Sequence, residues 1–142
     1  MDQLKNKFPD AVESMETRLG ETTVALKKEF LLPVCEFLKK EAGFDYLSDL
    51  TGLDLGIEAD PRFAVAYHLY SMKGRQRLRL KVKTSGEVDS VTSVWKGADW
   101  FEREVYDLLG IVFNRHPNLT RIYMPDDFVG HPLRKDFPLK GE

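Results

Sequence analysis

The clearest pattern along the chain is the alternation over residues 75–83. Leu78, Leu80 and Val82 share one face there, and Arg75, Arg77, Arg79, Lys81 and Lys83 share the other. Period two predicts a strand with one buried and one polar face. The run before it, Phe63-Ala-Val-Ala-Tyr-His-Leu-Tyr70, is apolar on both faces. That predicts a central strand over 62–72, turned back into the next by Lys73-Gly74. Residues 44–55 predict a further strand with an irregularity near Thr51-Gly52. Weaker alternation over 12–19 and 22–26, separated by Gly20-Glu21, predicts a hairpin. The helical period appears in two places. Phe30, Val34, Phe37 and Leu38, widened by Leu31 and Cys35, predict a helix over 30–42, with Pro33 tolerable in its first turn and Gly43 as its left-handed stop. Phe101, Val105, Leu108 and Leu109 predict a second over 99–109, ended by Gly110. Here Asp99 and Glu102 read as a reciprocal N-terminal cap, and Arg103 and Asp107 as an i,i+4 pair. Residues 2–7 suit one or two helical turns before Pro9, and 89–95 a short helix ended by Lys96-Gly97. The fold class expected is α+β: a mixed, mostly antiparallel sheet with helices packed on it, spanning residues 1–114 as one domain.

Residues 115–142 differ in kind. Four of the chain's 7 prolines fall there, at Pro117, Pro125, Pro132 and Pro138, which excludes a long helix or a central strand. Yet the segment carries Leu119, Ile122, Tyr123, Met124, Phe128, Val129, Leu133, Phe137 and Leu139, more large apolar groups than a disordered tail holds. It is expected to be an extended C-terminal arm, ordered by what it lies against. The arm is a strap across its own sheet or a wrap on another subunit, and the preferred reading is docking on a partner. Phe128, Leu133 and Phe137 would be the apolar anchors, and Arg134, Lys135 and Asp136 the charge pairs.

Composition changes this picture only by exclusion. The chain has 142 residues, a hydrophobic fraction of 42% and a net charge of −2 from 21 basic and 23 acidic residues, which suits one globular domain and argues against a general nucleic-acid binder. No apolar run reaches the length of a membrane span, and the N-terminus has no signal-like stretch. Cys35 is the only cysteine, so a thiolate-ligated cluster or zinc site cannot come from this chain alone, and its apolar surroundings predict a buried thiol. His68, on an apolar strand, is expected to be a core histidine. A metal site from His116, His131, Asp126 and Asp127 matches no ligand spacing. The basic face at 75–83 is expected to be solvated. A nucleic-acid adaptor and a small metal-dependent enzyme are the readings from other classes.

Two C-terminal stretches resemble the family of the hydrophilic C subunit of respiratory complex I. Glu102-Arg-Glu-Val-Tyr-Asp-Leu-Leu-Gly110, followed by His116-Pro117, is similar to the family's signature. Gly130-His-Pro-Leu-Arg-Lys-Asp-Phe-Pro-Leu139 is similar to its closing motif, and residues 44–51 and 62–70 also look like family segments. One departure is Thr120, where the family usually has a basic residue or proline; Arg121 stands beside it. The resemblance implies a non-catalytic hydrophilic subunit in the peripheral arm of a proton-translocating NADH:quinone oxidoreductase, on the cytoplasmic side of the cell membrane. It implies that FMN, iron–sulfur clusters and quinone belong to other subunits, with none held by this chain. The implied partners are the D subunit of complex I, which forms the quinone pocket, and the connecting subunits. The interface candidates are Glu102, Arg103, Glu104, Asp107, His116, Arg121, Phe128, His131, Leu133, Arg134, Lys135, Asp136 and Phe137. The equivalent subunit of a ferredoxin-, deazaflavin- or hydrogenase-type membrane complex is the alternative.

Overall fold

A computed structural model describes residues 2–125 and 127–136. The chain opens with α1 (Asp2–Lys7) and a hairpin of β1 (Val12–Arg18) and β2 (Glu21–Leu26). A 3-10 turn, Lys28–Phe30, leads into α2 (Leu31–Lys40), then β3 (Tyr46–Asp54), β4 (Phe63–Ser71) and β5 (Gln76–Thr84). The short β6 (Glu87–Asp89), α3 (Ala98–Leu109) and short β7 (Val112–Asn114) complete the regular elements.

Five strands form one sheet in the order β1-β2-β5-β4-β3. All neighbours are antiparallel except β2 and β5, which run parallel because the chain crosses from one to the other through α2, β3 and β4. The expected mixed, mostly antiparallel α+β fold is the observed one. β4 lies inside the sheet and is buried along both faces for most of its length. β5 alternates as its sequence does, with Leu78, Leu80 and Val82 in the core.

One face of the sheet carries the core. Leu31, Val34, Cys35 and Leu38 of α2, with Val105 and Leu109 of α3, pack there on Val65, Tyr67, Leu69, Leu80 and Val82. Cys35 is wholly buried, as expected, and burial pushes its thiol pKa far up. Gly52 of β3 is where α3 crosses the sheet. A Cβ there would stand 2.7 Å from both Val105 and Leu109 side chains, so only glycine permits this approach.

Three local expectations need correction. Residues 89–95 are not a helix: β6 pairs in parallel with β7, Val88 opposite Phe113, as a second, two-stranded sheet. The following residues form a tight turn, in which Val94 and Trp95 N–H groups both donate to Val91 O. The driving force is burial, since Val88, Val91, Val94 and Trp95 all enter the core and Trp95 Nε1–H also donates to Phe44 O at 3.2 Å. The irregularity of β3 falls at Leu47/Asp49, not near Thr51-Gly52. The bulged Ser48 donates its hydroxyl to His68 O. His68 itself is not a core histidine. Its register partner is Arg79, which puts it half-buried on the outer face of the sheet, among polar neighbours.

Candidate functional site

Helix α3 buries two carboxylates, and the arm is organised around one of them. Glu102 falls on the same stripe as Ala98, Val105 and Leu109, and is wholly buried. Its Oε1 accepts the Ser90 hydroxyl at 2.7 Å and its Oε2 the Val91 N–H at 2.8 Å. It therefore does not cap α3: the N-cap position is Gly97, without a side-chain bond. Burial pushes the Glu102 pKa up to about 7, against the two hydrogen bonds that favour its charge. Asp99, freed from the capping role, stands 3.0 Å through Oδ1 from His116 Nε2. The His116 ring is almost fully enclosed, and Glu102 Oε1 lies 3.9 Å from the same nitrogen. His116 Nδ1 accepts the Asn118 N–H, so Nε2 carries the proton.

Asp107 is the second carboxylate, also wholly buried. Nothing in the helical period foretells this, because the arm and not the core covers it. Its Oδ1 accepts Arg121 Nε–H at 2.6 Å. Its Oδ2 accepts three successive backbone N–H groups, from Ile122, Tyr123 and Met124, at 3.0, 2.6 and 3.1 Å. Burial alone would raise its pKa, but Arg121 and the three amides outweigh burial and hold it at about 2. The expected pair of Asp107 with Arg103 is not formed. Arg103 donates to Thr120 O and lies over the Trp100 ring, and Arg121 takes the carboxylate.

The last turn of α3 explains the arm's sequence. A helix leaves its final four carbonyls without internal partners, and α3 has no basic residue there. Tyr106 O accepts the Gly110 N–H. Asp107 O accepts from Arg121 at 2.9 Å and from His131 Nδ1 at 3.0 Å. Leu108 O accepts the Leu133 N–H at 2.8 Å, and Leu109 O accepts Arg134 Nε–H at 2.6 Å. Two guanidinium groups thus sit at the negative end of the helix dipole. Arg121 also donates to Phe128 O and Gly130 O, closing the arm on itself.

A further tie joins the arm to the sheet. Arg62 binds Asp54 through two nitrogens, at 3.1 and 2.8 Å, and reaches Asp136 at 2.9 Å. The Lys135 N–H donates to Asp54 Oδ2. Arg62 holds the Asp54 carboxyl well below the usual range. Asp54 and Arg62 are site residues that the sequence alone did not single out.

Twelve of the thirteen candidates are thereby placed, and Phe137 lies outside the described residues. Glu102 and His116 form one buried cluster at the start of α3, and Asp107, Arg121, His131 and Arg134 form another at its end. Arg134 and Asp136 are engaged within the chain; Lys135 ties in through its backbone. Glu104 accepts the Tyr123 hydroxyl at 2.8 Å. Phe128 lies beneath the Arg121 guanidinium, and Leu133 is exposed. Tyr123 meets Trp100 edge to face. His116 and His131 face opposite ends of α3, about 12 Å apart along its axis by helix rise. Among the described residues no group of three or more His, Cys, Asp or Glu is placed to hold a metal ion. Among them, too, no helix is long and apolar enough to cross a membrane.

Comparison with known proteins agrees with this architecture. The profile of the family described as "Respiratory-chain NADH dehydrogenase, 30 Kd subunit" matches residues 24–142. The C subunit of the NADH-quinone oxidoreductase of Geobacter metallireducens is 47% identical over 142 residues, covering 98% of this chain and 88% of that protein. Its counterpart in Hyphomonas neptunium is 42% identical, covering 97% and 70%. A chain in the structure of the membrane-bound sulfane sulfur reductase (MBS), an archaeal respiratory membrane complex, superposes with a TM-score of 0.79 over 97% of this chain and 83% of that one. At 22% identity it shares the fold. Relatives of the first kind, similar over nearly the full length, together with the profile match, show that the chain belongs to the respiratory-chain NADH dehydrogenase 30 Kd subunit family.

Proposed function

We propose that the chain is a structural subunit of the peripheral arm of a proton-translocating NADH:quinone oxidoreductase. Electrons pass from NADH through FMN and iron–sulfur centres to quinone in other subunits, and this chain supplies surface and rigidity without catalytic residues. Family membership supports the complex, and relatives named for NADH and quinone favour that donor and acceptor. The chemistry of the side chains supports the passive role. The Cys35 thiol is sealed in the core, and the ring nitrogens that His116 and His131 commit are spent on their own chain. The chain would join the membrane only through its complex, on the cytoplasmic side.

The observation that carries the assembly role is how the arm divides its groups. Its polar atoms turn inward, onto Asp107, Asp54 and the carbonyls of α3. Three of its large apolar side chains turn outward: Tyr123, Val129 and Leu133 are 54, 89 and 60% exposed. Such groups are unfavourable in water and suit a partner's surface, with the quinone-pocket subunit as the partner. The test is co-purification of that subunit by the full chain and by a Val129→Asp/Leu133→Asp variant. Neither side chain makes one of the arm's hydrogen bonds, so the variant should keep its unfolding midpoint and lose the partner at least tenfold. Equal recovery would move the interface elsewhere.

A further inference from the structure

The outer face of the five-stranded sheet is covered by no described helix, because α2 and α3 both pack on the other side. Along β5, Arg77, Arg79, Lys81 and Lys83 project from it at alternate positions. Register sets Tyr70, His68, Ala66 and Ala64 of β4 beside them, in that order. Among the described residues Arg79, Lys81 and Lys83 have no carboxylate within ion-pair distance, and Arg77 reaches Glu21 only at 4.0 Å. Four cations on one strand repel one another, and surface charges of this kind add little stability. Beside them Ala64 and Ala66 are almost wholly buried, so the side chains around them, not the alanines, form the surface. At one end of the row lies a cleft of about 570 Å³ walled by Tyr46, Asp49, His68, Tyr70, Arg77 and Arg79.

We propose that this face receives an acidic, extended segment of a neighbouring protein subunit. Alternate residues of a strand are about 6.7 Å apart, so the four cations span about 20 Å, the reach of roughly seven extended residues. A segment with carboxylates at alternate positions matches that row, and one apolar side chain enters the Tyr46–His68–Tyr70 cleft. Charge disposition selects polypeptide over nucleic acid. Glu16 and Glu21 of the hairpin flank the row on one side and Asp49 of β3 on the other, and the whole chain carries a net charge of −2. A continuous phosphate backbone would meet those carboxylates, whereas a peptide can place its charges only over the cations. The surface is separate from the arm, and the inference rests on the reading that the chain works in a multisubunit complex.

Lysine acetylation of the purified complex and of the free full-length chain, read by mass spectrometry, tests it. Lys81 and Lys83 should react at least tenfold more slowly in the complex, while Lys73 in the β4–β5 turn is unchanged. Carbodiimide should couple Lys81 or Lys83 to an Asp or Glu of one neighbouring subunit. An Arg79→Glu/Lys81→Glu variant with unaltered circular dichroism should lose that coupling and that protection. Equal lysine reactivity in both states overturns the inference and leaves the complex I reading standing. So does protection that appears only when a single-stranded RNA 20-mer is added. A chain that co-purifies with no other subunit overturns both.

Discussion

Glu102 and Asp107 sit on one helix, both without exposed surface, and titrate in opposite directions. The difference is the number of partners. Asp107 has a guanidinium and three amides, enough to keep its charge; Glu102 has one hydroxyl and one amide, with Asp99 nearby adding repulsion. For Glu102 the folded state keeps a proton that the unfolded chain gives up near pH 4.3. Stability on this group is therefore greatest below that pH and falls as pH rises towards 7, by roughly 3 kcal/mol. Glu102→Gln mimics the protonated acid: its amide oxygen accepts the Val91 N–H, and its NH2 donates to Ser90 Oγ, reversing that bond. Urea midpoints at pH 5 and pH 8 should differ clearly for the native chain and converge for the variant. Asp107 has the reverse sign: its contribution is complete above pH 4 and lost as pH falls through about 2. Asp107→Ala leaves Arg121 facing no carboxylate and three amides without an acceptor. A loss of about 3–5 kcal/mol at pH 7 is expected in denaturant titration, and a loss below 1 kcal/mol would mean that the arm does not depend on it.

At the scale of elements, α3 shows what sequence pattern conveys and what it omits. Its span and its glycine stop were readable, because helical period and left-handed C-caps are local properties. Gly110 has φ +80 and closes the helix as expected. Its second role was not readable: a Cβ there would stand 2.6 Å from the Arg134 guanidinium and the His131 ring. The capping reading failed for a related reason. Asp99-x-x-Glu102 has the spacing of a cap, but Glu102 also falls on the buried stripe, and tertiary partners Ser90 and Val91 claimed it. Gly110→Ala tests the double role. Conformation alone should cost about 1–2 kcal/mol, and displacement of Arg134 and His131 should loosen the arm as well. Limited proteolysis should then cut within residues 117–136 much faster than in the native chain, while cleavage elsewhere stays unchanged.

For the whole molecule, the sheet was legible because β4 and β5 state their burial through alternation, and the arm was legible only as an anomaly of composition. Prolines with large apolar groups say that a segment is ordered by contact; they do not say which contact. The structure supplies half of that answer, with polar ties to Asp107, Asp54 and the end of α3, and exposed Tyr123, Val129 and Leu133. No described residue from 115 to 136 belongs to the buried apolar core, although Leu119 packs against it. Truncation after Pro125 separates the two roles. It keeps the Asp107–Arg121 bond and the amides of 122–124, but removes the partners of Leu108 O and Leu109 O, two acceptors of Arg121, the His131 bond to Asp107 O and the ties of Lys135 and Asp136 to Asp54 and Arg62. At about 1 kcal/mol for each hydrogen bond lost, the expected cost is about 4–7 kcal/mol, which lowers the melting temperature by roughly 20 °C without ending cooperative unfolding. Partner binding should be lost as well. The Val129→Asp/Leu133→Asp chain should instead melt like the native one and still fail to bind. If truncation leaves the melting temperature unchanged, the ties add nothing to the free chain, and the arm is held by its partner alone.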